Sequence, residues 1–255
     1  MTSDRDYLAL ATDYDGTIAR HGVVDAITVA ALHRLRGAGR TLLLVTGREL
    51  ESLFATFPHV DLFHMVVAEN GGLLYEPATR HERSLCEPPP LEFVQALREQ
   101  HVHPLSVGRV IVATYEPHET VVLETIRRLG LERQVIFNKG AVMVLPSGVN
   151  KASGLETALE ELRIPPARVV GVGDAENDHA LLQLVGFGAA VANALPSLKE
   201  RAALVTAAEH GAGVTELIEL MLSGALGRIP ATPQQPQPPV PVQSLGDPVD
   251  VHPDA

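Results

Sequence analysis

The chain is 255 residues long, 45% hydrophobic and 20% charged, with a formal net charge of −11 and one cysteine, Cys86. The acidic balance argues against nucleic acid or an anionic membrane as the main partner. A single cysteine excludes an intramolecular disulfide and a cysteine-rich zinc site.

The length fits one large domain or two small ones. The N-terminus lacks the basic-then-apolar layout of a signal peptide, and no apolar run approaches membrane-spanning length, so a cytoplasmic location is expected. From Tyr7 to Thr12 a short apolar run reads as a buried strand that ends in Asp13 and Asp15, followed by Gly16 and Thr17. Buried parallel strands have this continuous apolar character, and ligands of open α/β sheets sit beyond the strands' carboxyl ends. Asp25 is placed to cap a helix whose apolar side is Ile27, Ala31, Leu32 and Leu35, with Gly37 or Gly39 ending it. A second buried strand over 41–45 runs into Thr46, Gly47 and Arg48, before a helix with Leu50, Leu53, Phe54 and Phe57 at helical spacing. A third strand over 65–68 runs into Glu69, Asn70, Gly71 and Gly72.

Near Pro77 the pattern changes, and residues 77–146 read as an inserted α+β unit. Its predicted elements are a helix ending near Gln100 with Leu91, Val94 and Leu97 inward, a strand over 109–115 and an amphipathic helix over 116–129. A hairpin of 134–137 and 141–145 follows, turning at Asn138-Lys139-Gly140. The first pattern then resumes. Lys151 opens a helix with Leu155, Ala158, Leu159 and Leu162 inward, and a strand over 169–173 ends in Asp174, Glu176, Asn177 and Asp178. Leu181, Leu182 and Val185 lie on a further helix, followed by short strands over 187–192 and 203–206 and a helix over 215–222. The predicted fold is therefore α/β, a doubly wound, mostly parallel sheet built from 1–76 and 147–226. Between Pro230 and Pro253 lie eight of the chain's 19 prolines, which predicts a disordered tail over 227–255. Its Pro-x-x-Pro spacings suit an unknown docking partner, but a passive spacer is the preferred reading.

Four strand ends thus carry Asp13/Asp15, Thr46, Asn70 and Asp174/Asp178, and in a parallel sheet they converge on one edge. Carboxylates so close together repel, and a divalent cation keeps them ionised. An oxygen-only ligand set suits Mg²⁺ rather than zinc. Thr46 and the backbone N–H groups at Gly47 suit an anion, and Lys151 in a first helical turn suits a phosphoryl oxygen. Phosphate and Mg²⁺ binders on one edge point to phosphoryl transfer, with one carboxylate attacking phosphorus and the other exchanging protons.

Asp13-Tyr14-Asp15-Gly16-Thr17, Thr46-Gly47-Arg48, Lys151 and Gly173-Asp174-Ala175-Glu176-Asn177-Asp178 resemble, in order and spacing, the four motifs of the haloacid dehalogenase-like hydrolases. The likeness is nearest to the Cof-like branch, whose C2-type cap lies between the second and third motifs, where 77–146 falls here. The resemblance implies a Rossmann-like core and a Mg²⁺-dependent phosphatase of a small phosphorylated metabolite, a sugar phosphate or a phosphoglycolate-like acid. It implies Asp13 as nucleophile and metal ligand, and Asp15 as acid and base with its backbone carbonyl on the metal. It further implies Thr46 and Lys151 on the phosphoryl group, Asp174 as a direct metal ligand, and Asp178 acting through water or orienting Lys151. Asn177 and Asn70 are equally suited to substrate contacts and to turn or cap roles. A structural role is expected for Arg48, packing for Tyr14, solvated charges for Arg109 and Lys139, and no metal at His101 and His103. A sugar phosphomutase and a non-catalytic phosphate or metal sensor are the alternatives. Retention of both Asp13 and Asp15 speaks against the sensor.

Overall fold

A computed structural model of the chain describes residues 6–231. The core begins with β1 (Ala9–Thr12), α1 (Ala26–Gly37), β2 (Thr41–Val45), α2 (Leu50–Thr56), β3 (Met65–Ala68), β4 (Leu73–Glu76) and β5 (His81–Ser84). The chain then leaves the core for α3 (Leu91–Glu99), β6 (Ser106–Val107), β7 (Val112–Tyr115), α4 (Glu119–Arg128), β8 (Arg133–Asn138) and β9 (Ala141–Pro146). It returns through α5 (Lys151–Leu162), β10 (Val169–Gly173), α6 (His179–Leu184), β11 (Phe187–Ala190), α7 (Pro196–Lys199), β12 (Leu204–Val205) and α8 (His210–Leu222).

Eight strands form the core sheet in the order β12-β11-β10-β1-β2-β3-β4-β5. Those from β12 to β3 are parallel, with β1 central: Ala9 pairs with Val169 on one side and Thr41 on the other. Every residue of β1 and β10 is buried. Successive strand residues point to opposite faces, so burial without alternation means that both faces are covered. Helices supply the cover, α1 packing on α8 and α5 on α6. Asp25 caps α1 by accepting the Thr28 N–H at 2.8 Å.

The core sheet runs past the expected boundary at residue 77. β4 turns back antiparallel on β3, and β5 pairs with β4 as the outer strand. Its sequence, His-Glu-Arg-Ser, is exposed throughout and shows none of the apolar alternation by which a strand is read. Ile27 and Leu91 also differ from expectation: both are exposed, and Thr28 and Phe93 take the inward positions. Phe54 is half-exposed, its ring 5.1 Å from that of Tyr75. Residues expected to begin the tail are still packed, since the 3₁₀ turn over 225–228 runs past residue 226 and Ile229 and Ala231 lie partly buried against the core. The proline-rich stretch beyond residue 231 lies outside the described residues.

The insert forms its own antiparallel sheet, β6-β7-β9-β8. Along β9, Val142 and Val144 face α3 and α4 in a cluster with Phe93, Leu97, Val122 and Ile126. Met143 and Leu145 face the other way, with Val110 and Ile111. The alternation gives the sheet two apolar faces, one covered by the insert's helices and one turned to the core.

Gly71 makes the join between β3 and α5 possible. Its φ is +105°, and a Cβ there would fall 1.9 Å from the Asn150 carbonyl oxygen. Backbone on that side cannot rotate out of the way as a side chain would. Gly71→Ala is therefore expected to cost roughly 2–3 kcal/mol of stability, read as a lower urea midpoint at unchanged m-value.

Candidate active site

The site is built where β1, β2, β3 and β10 end. The Asp13 N–H continues the ladder to Val172 O at 3.0 Å, which fixes Asp13 beside the end of β10. The chain then turns at Gly16, φ +84°, where a Cβ would sit 2.2 Å from Asp174 Oδ2. Only a glycine lets the loop after Asp13 lie against Asp174. The Gly16 carbonyl accepts from Asn193 Nδ2 at 2.8 Å, and the Thr17 hydroxyl donates to Asp174 Oδ1 at 3.2 Å.

Lys151 arrives from the other side. Asn150 accepts from the Ala152 and Ser153 N–H groups, and Ser153 Oγ accepts the Asn150 N–H in return, so a capping box sets the first turn of α5. From there Lys151 Nζ donates to Asp13 Oδ1 at 2.6 Å and to Asp178 Oδ1 at 2.7 Å. The other Asp178 oxygen accepts the N–H groups of Asp174 and Ala175, at 2.9 and 3.0 Å. Asp13, Asp174 and Asp178 are all buried, each with a carboxylate oxygen within 4.8 Å of the others'. Lys151 is 1% exposed.

Charge is costly in this setting, and the local pKa values record it. Burial pushes the Asp13 carboxyl up to about 8; the Lys151 charge opposes the shift, while Asp178 and Asp174 add to it. Burial likewise raises Asp174, against a hydrogen bond from Lys139. For Lys151, burial favours the neutral amine, but Asp13 and Asp178 together outweigh it and hold the ammonium above the ordinary lysine value.

Asp15 lies apart from this trio. Its carboxylate accepts from Arg48 Nε at 2.6 Å and from the Arg48 NH2 nitrogen at 2.8 Å. Arg48 in turn stands 5.1 Å over the ring of Tyr14, which is buried and donates its hydroxyl proton to Gly22 O at 2.8 Å. Thr46 is buried, its Oγ1 accepting the Arg48 N–H at 3.1 Å and its carbonyl the Asn70 N–H at 2.9 Å. Asn70, in the left-handed region at φ 55°, accepts from Asn177 Nδ2 at 2.9 Å. Asn70 Nδ2 and Asn177 Oδ1 are left without a hydrogen-bond partner among the described residues. Gly47 lies close to Asn177 and to the Met143 sulfur of the insert.

Arg109 does not reach the site. It pairs with Glu51 and Glu82. Lys139 departs from its expected solvent role, since its ammonium donates to Asp174 Oδ2. Glu69 has no counterpart in the sequence reading. It is fully buried and accepts three backbone N–H groups of the insert, from Arg109 and Ile111 at 3.0 Å and Val110 at 2.7 Å. Its own N–H donates to Arg48 O at 3.0 Å, so one residue ties the insert to the loop after β2. A carboxylate between an apolar strand and Asn-Gly-Gly was the available signal. Asn193 and His210, which hold the Gly16 carbonyl, carry no such mark.

The family model described as haloacid dehalogenase-like hydrolase matches residues 10–134 and 111–218. The chain is 35% identical over 217 residues to a phosphoglycolate phosphatase of Methanothermobacter thermautotrophicus, covering 82% of this chain and 96% of that protein. It is 30% identical over 230 residues to phosphoglycolate phosphatase 2 of Saccharolobus solfataricus, covering 87% and 95%. Its fold resembles the crystal structure of a haloacid dehalogenase-like hydrolase from Bacteroides thetaiotaomicron, with TM-score 0.72, 19% identity and coverage of 84% and 98%. A subclass IIB sugar phosphatase superposes with TM-score 0.68 at 18% identity, covering 83% and 97%. No helix among the described residues is long and apolar enough to cross a membrane.

Proposed function

The chain belongs to the haloacid dehalogenase-like hydrolases, and from that premise we propose that it is a Mg²⁺-dependent phosphatase of a small phosphoglycolate-like ester, working through an aspartyl-phosphate. The observation that carries this reading is Lys151 bridging Asp13 and Asp178 beside Asp174 in one buried cluster. Two full-length relatives named phosphoglycolate phosphatase favour the acid over a sugar phosphate.

The donor set fits a hard divalent cation. Asp13, Asp174 and Asp178 offer only oxygen, and their mutual repulsion and burial are what such a charge relieves. Asp13 and Asp174 would hold Mg²⁺ directly, with the Asp15 backbone carbonyl, and Asp178 would act through water or by orienting Lys151. When bound, the cation supplies positive charge opposite the phosphoryl oxygens.

The remaining chemistry falls to the chain's own groups. Lys151, the Thr46 hydroxyl and the Gly47 backbone hold the phosphoryl group, and Asn177, by donating to the Asn70 oxygen, leaves the Asn70 amide N–H group free to donate nearby. An Asp13 oxygen forms a bond to phosphorus as the ester P–O bond breaks in line, and Asp15 gives its proton to the leaving oxygen. Water then attacks the phosphorus, Asp15 takes its proton, and the bond to Asp13 breaks to release phosphate. For Asp15 to carry a proton, its paired contact with Arg48 has to loosen.

Purified protein is expected to release phosphate from 2-phosphoglycolate faster than from glucose 6-phosphate. A chelator should slow the reaction by about 10²-fold or more, reversed by added Mg²⁺. A phosphate that migrates within a sugar instead of appearing in solution would favour the mutase. Turnover indifferent to the chelator would contradict the Mg²⁺ reading.

A further inference from the structure

Lys139 stands at the tip of the β8–β9 hairpin, which turns with Lys139 at φ 48° and Gly140 at φ 82°. The tip touches the core at two points. Its backbone N–H donates to Glu176 Oε2 at 3.3 Å, and its ammonium donates to Asp174. A Cβ on Gly16 would lie 2.8 Å from that nitrogen, so Lys139 reaches over the loop that follows Asp13. The other cations nearby are committed: Lys151 to Asp13 and Asp178, Arg48 to Asp15, Arg109 to Glu51 and Glu82. Lys139 keeps 44% of its side chain exposed, so it alone among these is both at the acidic cluster and open to an incoming molecule.

We propose that Lys139 reads the leaving group, its ammonium binding a carboxylate carried next to the phosphate ester. This deepens the phosphatase reading and rests on it. In-line attack by Asp13 places the departing oxygen on the far side of phosphorus from Asp13, away from the core and toward the insert. The insert residue nearest Gly47 on that side is Met143, whose thioether gives a sugar's hydroxyl groups no strong partner. Lys139 supplies a point charge with three donors on a flexible stem, suited to a small terminal anion. A cation held by Asp174 would compete for the oxygen that Lys139 contacts and turn the ammonium toward substrate.

The test compares wild type, Lys139→Met and Lys139→Arg on 2-phosphoglycolate and on ethyl phosphate, which has a methyl group in place of the carboxylate. Calorimetric binding of phosphonoacetate and ethylphosphonate gives a second readout that needs no turnover. Wild type is expected to prefer the carboxylate in both. Lys139→Met should cut the kcat/KM ratio of the two esters at least about ten-fold, the worth of one charge-assisted hydrogen bond, mainly through KM. It should also bring the two phosphonates to similar affinity, with Lys139→Arg recovering part of both gaps. Equal preference in wild type and Lys139→Met, or no preference in wild type, overturns the proposal. Failure of wild type to cleave either ester would strike the phosphatase reading instead, while the phosphonate gap would still report on Lys139.

Discussion

Asp13→Asn is expected to lower kcat for p-nitrophenyl phosphate by about 10³-fold or more while the chain stays folded. The amide removes the oxygen that would bond to phosphorus and keeps the shape of the side chain. It also removes one of three carboxylates crowded within 4.8 Å, so like-charge repulsion with Asp174 and Asp178 falls. Lys151 loses one counter-charge, although the remaining amide oxygen can still accept from it, and keeps Asp178 at 2.7 Å, so no buried charge is stranded. Thermal unfolding should accordingly show a midpoint close to that of wild type or above it. Wild-type turnover in Asp13→Asn would end the proposal that Asp13 is the nucleophile. Activity and folding lost together would place Asp13 in the framework instead.

Much of this site was legible because its residues sit where apolar runs stop. Asp13, Thr46 and Asp174 each directly follow a buried parallel strand and Asn70 lies two residues past another, and a parallel sheet gathers such ends without any knowledge of side-chain contacts. Lys151 was legible as the residue that opens a helix in front of that edge, whereas the Asn150 cap that aims it emerged only in the structure. What escaped depends on partners distant in sequence. The three groups that satisfy Glu69 are backbone N–H groups some 40 residues on, and a backbone donor leaves no trace in residue identity. The hairpin carrying Lys139 could be read from its alternation and its Asn-Lys-Gly turn, but the place where its tip lands is set by how the insert docks. β5 escaped because an outer strand exposed along its length needs no apolar residues. Ile27 and Leu91 misled because each lies in a helix's first turn, where helical spacing alone does not fix which side meets the core.

Lys151→Met should do what Asp13→Asn does not and damage stability and catalysis at once. The methionine keeps most of the length and apolar volume of the lysine stem, so the change is chiefly the loss of the ammonium. Asp13 and Asp178 then remain buried with no counter-charge between them, beside Asp174. Removing one partner of a buried ion pair costs about 3–5 kcal/mol, because the charge left behind has no water to turn to. Part of that loss should be hidden near neutral pH, since a buried carboxylate can take up a proton instead of staying charged. The deficit in urea unfolding is therefore expected to grow as pH rises and to shrink when Mg²⁺ is added, the cation replacing the missing charge. Catalysis should not recover with stability, because the ammonium that would hold the phosphoryl oxygens is gone. An unfolding midpoint equal to that of wild type at all pH values would mean that Lys151 does not carry the charge balance of the cluster. Full activity in the same variant would remove it from the phosphate grip as well.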